Sequence, residues 1–353
     1  MNSTLAEALS NIADFIRAFI SLSESEGTVI ALWVAHTHAF DAANTTPYLS
    51  ITSAEKQCGK TLLLEVLELL VAKPWMTAHC TVAVLPRKIN AECPTLLLDE
   101  SDPAFNGNRE YAEALRGILN SGHRRGGKST ICVKHDGDVV PRDFNTFCPK
   151  AIAGIGELPD TVADRSIPIR LKRAHRAALA RFRRRDVESD ATMLRDDLVA
   201  LLSESLSSLR EARPTLPNEL TSRQQDGAEP LLAIADVVGG EWPGRARAAL
   251  VQILKSIEAK DDSPGVKLLA DIRCIIEASK RDRIASKKLV AALAAIETSP
   301  WAALTVHTLA KMLHRYRISP RTIRNGKQTF KGYLKQDFSD AWSRHLPAPP
   351  KQS

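Results

Sequence analysis

No run of apolar residues in this chain is long enough to cross a bilayer; the longest, around Leu62 to Ala72, is interrupted by glutamates. The N-terminus, "MNSTLAEALSNIADFIRAF", lacks the basic start and solid apolar block of a secretion signal. Six cysteines (Cys58, Cys80, Cys93, Cys132, Cys148 and Cys274) never fall in C-x-x-C spacing, which argues against a zinc site and against a disulfide framework. Repeats and low-complexity blocks are missing too. These absences lead to the expectation of a protein of the reducing cytoplasm with no membrane partner. What is present is an ordinary globular composition, 44% hydrophobic and 25% charged over 353 residues, enough for two or three domains.

Acidic residues are absent from one stretch in particular. "RLKRAHRAALARFRRR", Arg170 to Arg185, carries eight Lys or Arg and no acid, within a chain of net charge +7. "LHRYRISPRTIRNGKQTFKGYLK" adds a second basic region. Such clustering favours a polyanion, nucleic acid first, although each cluster alone also fits a solvated basic helix face.

Apolar spacing predicts helices over Thr4 to Leu22 and Gly27 to Phe40, then a short strand in "TPYLSIT" and a helix in "TLLLEVLELLVA". "PTLLLDES" reads as a buried strand ending in acids, Asn108 to Leu119 as a helix, and "STICVKHDGDVVPR" as a hairpin turning at Asp136-Gly137. "KAIAGIG" is a further strand. Strands alternating with helices imply a parallel α/β sheet.

Two stretches compete to cradle phosphate: "AEKQCGKT" from Ala54 and "GHRRGGKS" from Gly122. A phosphate loop curls backbone N–H groups around the anion with a helix N-terminus behind, so it needs a strand before and a helix after. "GHRRGGKS" matches the pattern but follows a helix and precedes the β-branched run "STICV", so it reads as a mobile basic loop. "AEKQCGKT" has Ala54 in place of the leading glycine, yet its context is right. Ala54, Glu55, Lys56, Gln57, Cys58, Gly59, Lys60, Thr61 and Leu62 are therefore the expected ATP cradle, with Lys60 on the phosphates and the Thr61 hydroxyl on Mg2+. "LLLDE" supplies the partner acids: Asp99 for the metal through water and Glu100 to polarise the attacking water. His36 and His38, spaced i, i+2, point apart on a helix, which favours packing or capping roles over metal binding.

With both motifs in hand, the chain resembles the AAA+ ATPases, in particular helicase-like proteins of the primase-helicase type. More closely it is similar to an uncharacterised family of P-loop proteins carried by phages, plasmids and integrated elements. The stretches behind this are "LWVAHTHAFDAANTTPYLSITSAEKQCGKT", "LLLDESDPAF", "LRGILNSGHRRGG", "AIAGIGELPDTVADRSIPIRL", "EPLLAIADVVGGEWP" and "KGYLKQDFSDAWSRHLP". The resemblance implies that Arg165 is an arginine finger reaching a neighbour's phosphate, and that Arg223 is a second sensing arginine. It implies a ring of copies, a hexamer first, with a separate primase as a candidate partner. It also makes Lys134 and His135, on the hairpin, candidate pore residues gripping single-stranded or forked DNA; a plain surface hairpin is the alternative. The first-sensor position carries Ile155 and Gly156 where a polar residue is usual, so either another group serves or hydrolysis is slow.

"VHTLAKMLHRYRISPRTIR" reads as a helix, a break at Ile318-Ser319-Pro320, and a second basic helix start, with "GKQTFKGYL" as a wing. Arg321, Arg324, Lys327 and Lys331 would line one edge for the phosphate backbone, with Phe330 and Tyr333 packed nearby. The expected fold class is α/β: an AAA+ P-loop parallel-sheet ATPase core (27–186) after an N-terminal helix (1–26), then a helical lid (187–257) and a winged-helix-like basic domain (258–353). The expected function is an Mg-ATP-dependent helicase in mobile-element replication. An ATP-switched DNA-binding initiator or loader, and an ATP-gated regulatory or defence module, remain alternatives.

Overall fold

The computed structural model describes residues 4–53, 55, 57–78, 80–99, 109–135, 138–154, 158–173, 179–258, 264–279, 282–296, 300–325 and 328–346. They fall into two compact units, Met1–Ile257 and Glu258–Ser353. The first is built on a five-stranded sheet of β1 (Tyr48–Ser53), β2 (Pro74–Thr77), β3 (Thr95–Leu98), β6 (Lys150–Gly154) and β7 (Ser166–Leu171). All neighbours pair in parallel, in the order β2-β3-β6-β1-β7. A separate antiparallel hairpin, β4 (Lys128–His135) with β5 (Asp138–Asn145), is inserted between β3 and β6.

Chain direction dictates the layers. From β1 the chain passes through α3 (Lys60–Leu70) to the far edge at β2, then steps back through α4 (Val84–Glu92), α5 (Arg109–Ser121) and α6 (Asp160–Ala163). Right-handed crossovers in opposite directions place their helices on opposite faces. The packing obeys this: Leu49, Ile51, Leu97 and Ala151 share a core with Leu63, Leu64 and Leu67 of α3. The alternate residues Tyr48, Leu96, Leu98 and Ile152 pack with Leu85 and Ile89 of α4 and Leu115 and Leu119 of α5. The crossovers that leave the neighbouring strands β1 and β6 therefore run in opposite directions, and the carboxyl end at such a switch point is where open α/β sheets bind ligands.

The remaining helices extend the α3 face. Helices α1 (Leu5–Phe19) and α2 (Glu24–His38) each begin in a capping box, Thr4 with Glu7 and Ser23 with Glu26. The three long helices α7 (Arg184–Glu211), α8 (Ser222–Val238) and α9 (Trp242–Glu258) join α1, α2 and α3 in one hydrophobic core. Helix α2 is buried on nearly every side, and Trp33 donates its indole N–H to the Pro47 carbonyl at 2.9 Å.

Both α2 histidines are spoken for, as the packing reading anticipates. The His38 ring lies 2.8 Å from the Leu70 carbonyl, and His36 Nε2 lies 2.9 Å from Thr46 Oγ1. Burial depresses the His36 pKa to about 3. Its folded value thus lies below the unfolded one, so its contribution is complete above pH 6.5 and is lost as pH falls towards 3. We expect acidification from pH 7 to pH 5 to cost about 2 kcal/mol through this ring. Urea melts at both pH values should show that the His36→Gln variant loses correspondingly less than wild type; equal losses would refute the assignment.

The second unit comprises α10 (Pro264–Ser279), β8 (Arg283–Ala285), α11 (Ser286–Ala294), α12 (Val306–His314), β9 (Arg321–Asn325), β10 (Gln328–Leu334) and α13 (Ser339–His345). The strands form an antiparallel sheet in the order β8-β10-β9. Here the structure corrects the sequence reading: no second helix starts at Arg321, because that segment is β9. Pro320 biases the residue before it to extended backbone, the β-branched pair Thr322-Ile323 continues it, and β10 supplies a ladder partner. Tyr333 lies wholly in the core, with Leu268, Leu289, Leu309 and Trp342.

Candidate nucleotide site

Strand β1 ends at Ser53 at the switch point, and after six intervening residues the chain becomes α3. Gly59 makes the transition as the N-cap of α3, with φ of +90°. Its nearest prospective Cβ contact is an ordinary 3.7 Å to Ile20 Cδ1, so glycine is needed here for its backbone angle and not for space. Gln57 is also left-handed, at φ +61°. Of the expected cradle, Ala54 and Lys56 lie outside the described residues, whereas Glu55, Gln57, Cys58, Gly59, Lys60, Thr61 and Leu62 lie along the turn and the first turn of α3.

Three side chains converge there. The half-buried Lys60 places Nζ 2.7 Å from Ser53 Oγ, folding back over the end of β1. Thr61 Oγ1 donates to Asp99 Oδ2 at 2.8 Å, joining the start of α3 to the end of β3. Asp99 is only 9% exposed, and its backbone N–H donates to the Thr77 carbonyl at the end of β2. The carboxyl ends of β1, β2 and β3 are thus tied together around Lys60. A hydroxyl and a carboxylate oxygen in contact are the hard donors that Mg2+ takes, and the lysine beside a helix N-terminus fits phosphate, so the residues present suit Mg-ATP. Ser53 escaped the sequence reading; a hydroxyl at the last position of the strand before a GKT helix is the signal that could have found it. Glu100 lies outside the described residues, as do Ile155 and Gly156.

Arg165, expected to serve a neighbour's nucleotide, and Arg223 lie at the other end of β1 from Lys60. Arg165 sits just before β7, and its carbonyl accepts from Tyr48 N–H at the start of β1. The six residues of β1 separate that edge from Lys60 by about 20 Å. Arg223 joins Arg165 there, in a cavity of about 250 Å³ also lined by Thr45, Thr46, His123, Arg124, Asp226 and Gly227. Arg223 is paired with Asp164, and Arg124 with Asp226 at 2.5 Å. Arg165 directs Nε to His123 Nδ1 at 3.1 Å and another guanidinium nitrogen to the Thr161 carbonyl. Burial first, then the Arg165 charge, hold the His123 pKa below its usual value.

"GHRRGGKS" supplies His123 and Arg124 to this cavity and lies away from Lys60. It connects α5 to β4 and is fastened down, contrary to the expectation of a mobile loop. Arg125 donates to the carbonyls of Phe40, Asp41 and Ala43, and Thr46 N–H donates to the His123 carbonyl. Beside it Lys150 is fully buried, its Nζ donating to the carbonyls of Gly122 (3.3 Å), Thr146 (3.0 Å) and Cys148 (2.9 Å) over the Tyr48 ring at 4.8 Å. Burial lowers the Lys150 pKa. A Cβ on Gly122 would come within 2.4 Å of the Thr146 carbonyl, so this close approach demands glycine. Lys150 clamps the base of the hairpin to the sheet. On the hairpin Lys134 is exposed opposite Val139, and His135 pairs by backbone with Asp138.

In the second unit Arg324 and Lys331 are exposed on adjacent strands, while Arg321 is held by Asp337 at 2.7 Å. Lys327 lies outside the described residues.

A family model described as "Protein of unknown function (DUF3631)" matches residues 170–345. An uncharacterized 28.9 kDa protein in the xis 5′ region of Saccharopolyspora erythraea is 33% identical over 189 residues, covering 51% of this chain and 69% of that protein. The chain belongs to the DUF3631 family. The family-matched segment of this DUF3631 member begins at Arg170, so Lys60, Thr61 and Asp99 lie ahead of it. Two A-form apo structures of the NrS-1 C-terminal region align with TM-scores of 0.44 and 0.43 at 11% and 13% identity. They cover 92% and 94% of this chain and 74% of each structure.

Proposed function

We propose that this DUF3631 member is a magnesium-dependent ATPase of the AAA+ type that acts on DNA as a ring-forming helicase. The observation that carries the reading is the convergence of Lys60, Thr61 and Asp99 at the switch point of a parallel sheet. Lys60 neutralises phosphate oxygens while the α3 N-terminus presents backbone N–H groups to them. The Thr61 hydroxyl and Asp99 carboxylate hold the metal, which supplies charge neutralisation at the transferring phosphoryl group. Glu100, next in sequence, is assigned to orient the attacking water.

Arg165 and Arg223 are too distant to touch a phosphate on their own Lys60, so the reading gives them to the nucleotide of a neighbouring copy, which requires a closed ring. The resemblance to primase-helicases supplies the DNA substrate, with Lys134 and His135 gripping a strand and Arg321, Arg324, Lys327 and Lys331 holding phosphates. Mobile-element replication fits a relative named for its place in the xis 5′ region.

Subunit mixing tests the trans assignment. Arg165→Ala and Lys60→Ala proteins should each lack turnover, and their mixture should regain it, since each supplies what the other lacks. A mixture as inert as its components would refute the trans role. A second reading, an ATP-switched initiator or loader, is favoured by the apolar Ile155-Gly156 pair that follows β6. Strand displacement on a forked substrate separates the two.

A further inference from the structure

We propose that α12 is a groove-reading helix, so that the second unit forms a site for duplex DNA distinct from the hairpin. The inference deepens the DNA part of the reading above and does not depend on the nucleotide site.

Helix α12 packs inward through Leu309 and Leu313, both fully buried against Leu289 and Leu293 of α11. That fixes what faces out: His307, Thr308, Lys311 and His314 are exposed and share the stripe opposite the two leucines, while Val306 is exposed at the N-terminal end of the leucine side. Thr305 caps the N-terminus by accepting from Thr308 N–H at 3.1 Å, so the stripe is held from its first turn. From Pro300 to Gln336 there are eight Lys or Arg and no Asp or Glu. The β9–β10 wing of the same unit adds exposed Arg324 and Lys331.

Three physical arguments select duplex DNA. A basic segment without acids of its own complements phosphate, and an α-helix about 10–12 Å across fits a major groove about 12 Å wide. An outer stripe of His307, Thr308, Lys311 and His314 offers the Thr308 methyl for a thymine methyl and donors for base edges, while the wing takes phosphates. Single strands are held by exposed aromatic platforms, and here Trp301, Tyr333, Phe338 and Trp342 are buried while Tyr316 and Phe330 are half-buried, so no aromatic of this unit is fully exposed among the described residues. The deep, narrow major groove of A-form RNA admits no such helix.

The test uses the full chain without nucleotide. Fluorescence anisotropy would compare a randomised 25-base-pair duplex pool, the corresponding single strands and an A-form RNA duplex, followed by rounds of selection on the bound duplexes. The proposal expects the duplex to bind roughly tenfold or more tighter than the single strands and selection to converge on a sequence preference. Lys311→Glu should weaken duplex binding by roughly tenfold or more. Arg344→Glu, an equal charge change on α13, should not. Lys311→Ala, with melting curves for all variants, guards against a folding defect. Equal affinity for single strands or RNA, or equal effects of Lys311→Glu and Arg344→Glu, would overturn it. Duplex binding that survives Lys60→Ala supports this site even if ATP turnover proves absent, so the two readings fail separately.

Discussion

Lys60→Ala is expected to lower magnesium-dependent ATP turnover by about 10²–10³-fold, the scale seen when one preorganised electrostatic group is removed from developing charge. The reason is positional. Lys60 starts α3 directly after the left-handed Gly59 and returns its ammonium to Ser53 at the end of β1. Arg165 and Arg223 sit at the other end of β1 and do not share this turn. Lys60→Arg should rescue poorly, because a planar fork cannot occupy the place of a compact ammonium. The fold should survive, since the Ser53 bond contributes only about 1 kcal/mol. A coupled phosphate-release assay and a thermal melt check both halves; turnover within a few-fold of wild type would remove Lys60 from the mechanism.

The largest effect on stability is expected at Lys150. Lys150→Met keeps the length of the stem but strands the carbonyls of Gly122, Thr146 and Cys148 in a site with no exposure. Each stranded acceptor costs about 1–3 kcal/mol, against a total stability of about 5–15 kcal/mol for a typical domain. Urea unfolding should show the first unit destabilised by several kcal/mol. Because the same carbonyls lie at the base of the hairpin and beside His123, amide exchange should rise in β4 and β5 before the sheet opens. A variant within about 1 kcal/mol of wild type would mean that these carbonyls have other partners.

Much of the candidate site's arrangement was legible because its signals are local. The apolar run "TLLL" ending in Asp99, the strand into "AEKQCGKT" and the leucine-rich α3 each follow from periodicity and context. The reading missed what depends on neighbours. β2 is a four-residue edge strand, half-exposed and without alternation, and so leaves little pattern. β7 contains Pro168, which argues against a central strand, but β7 is the sheet's other edge, where proline is tolerated. At Arg321 a basic start resembled a helix until the β10 partner made it a strand. Lys150 and the company of Arg223 with Arg165 are tertiary facts, since residues 58 positions apart meet only when α8 packs near the start of β1.

The central claim is that the turn from Ser53 to Thr61, with Asp99, holds one Mg-ATP. The most direct measurement is calorimetric titration of ATP into the chain with magnesium or with a chelator, repeated on Thr61→Ala. The account predicts one ATP per chain, binding that weakens without magnesium, and a Thr61→Ala protein that has lost most of the magnesium dependence. No saturable binding, or binding indifferent to both magnesium and Thr61, would contradict it.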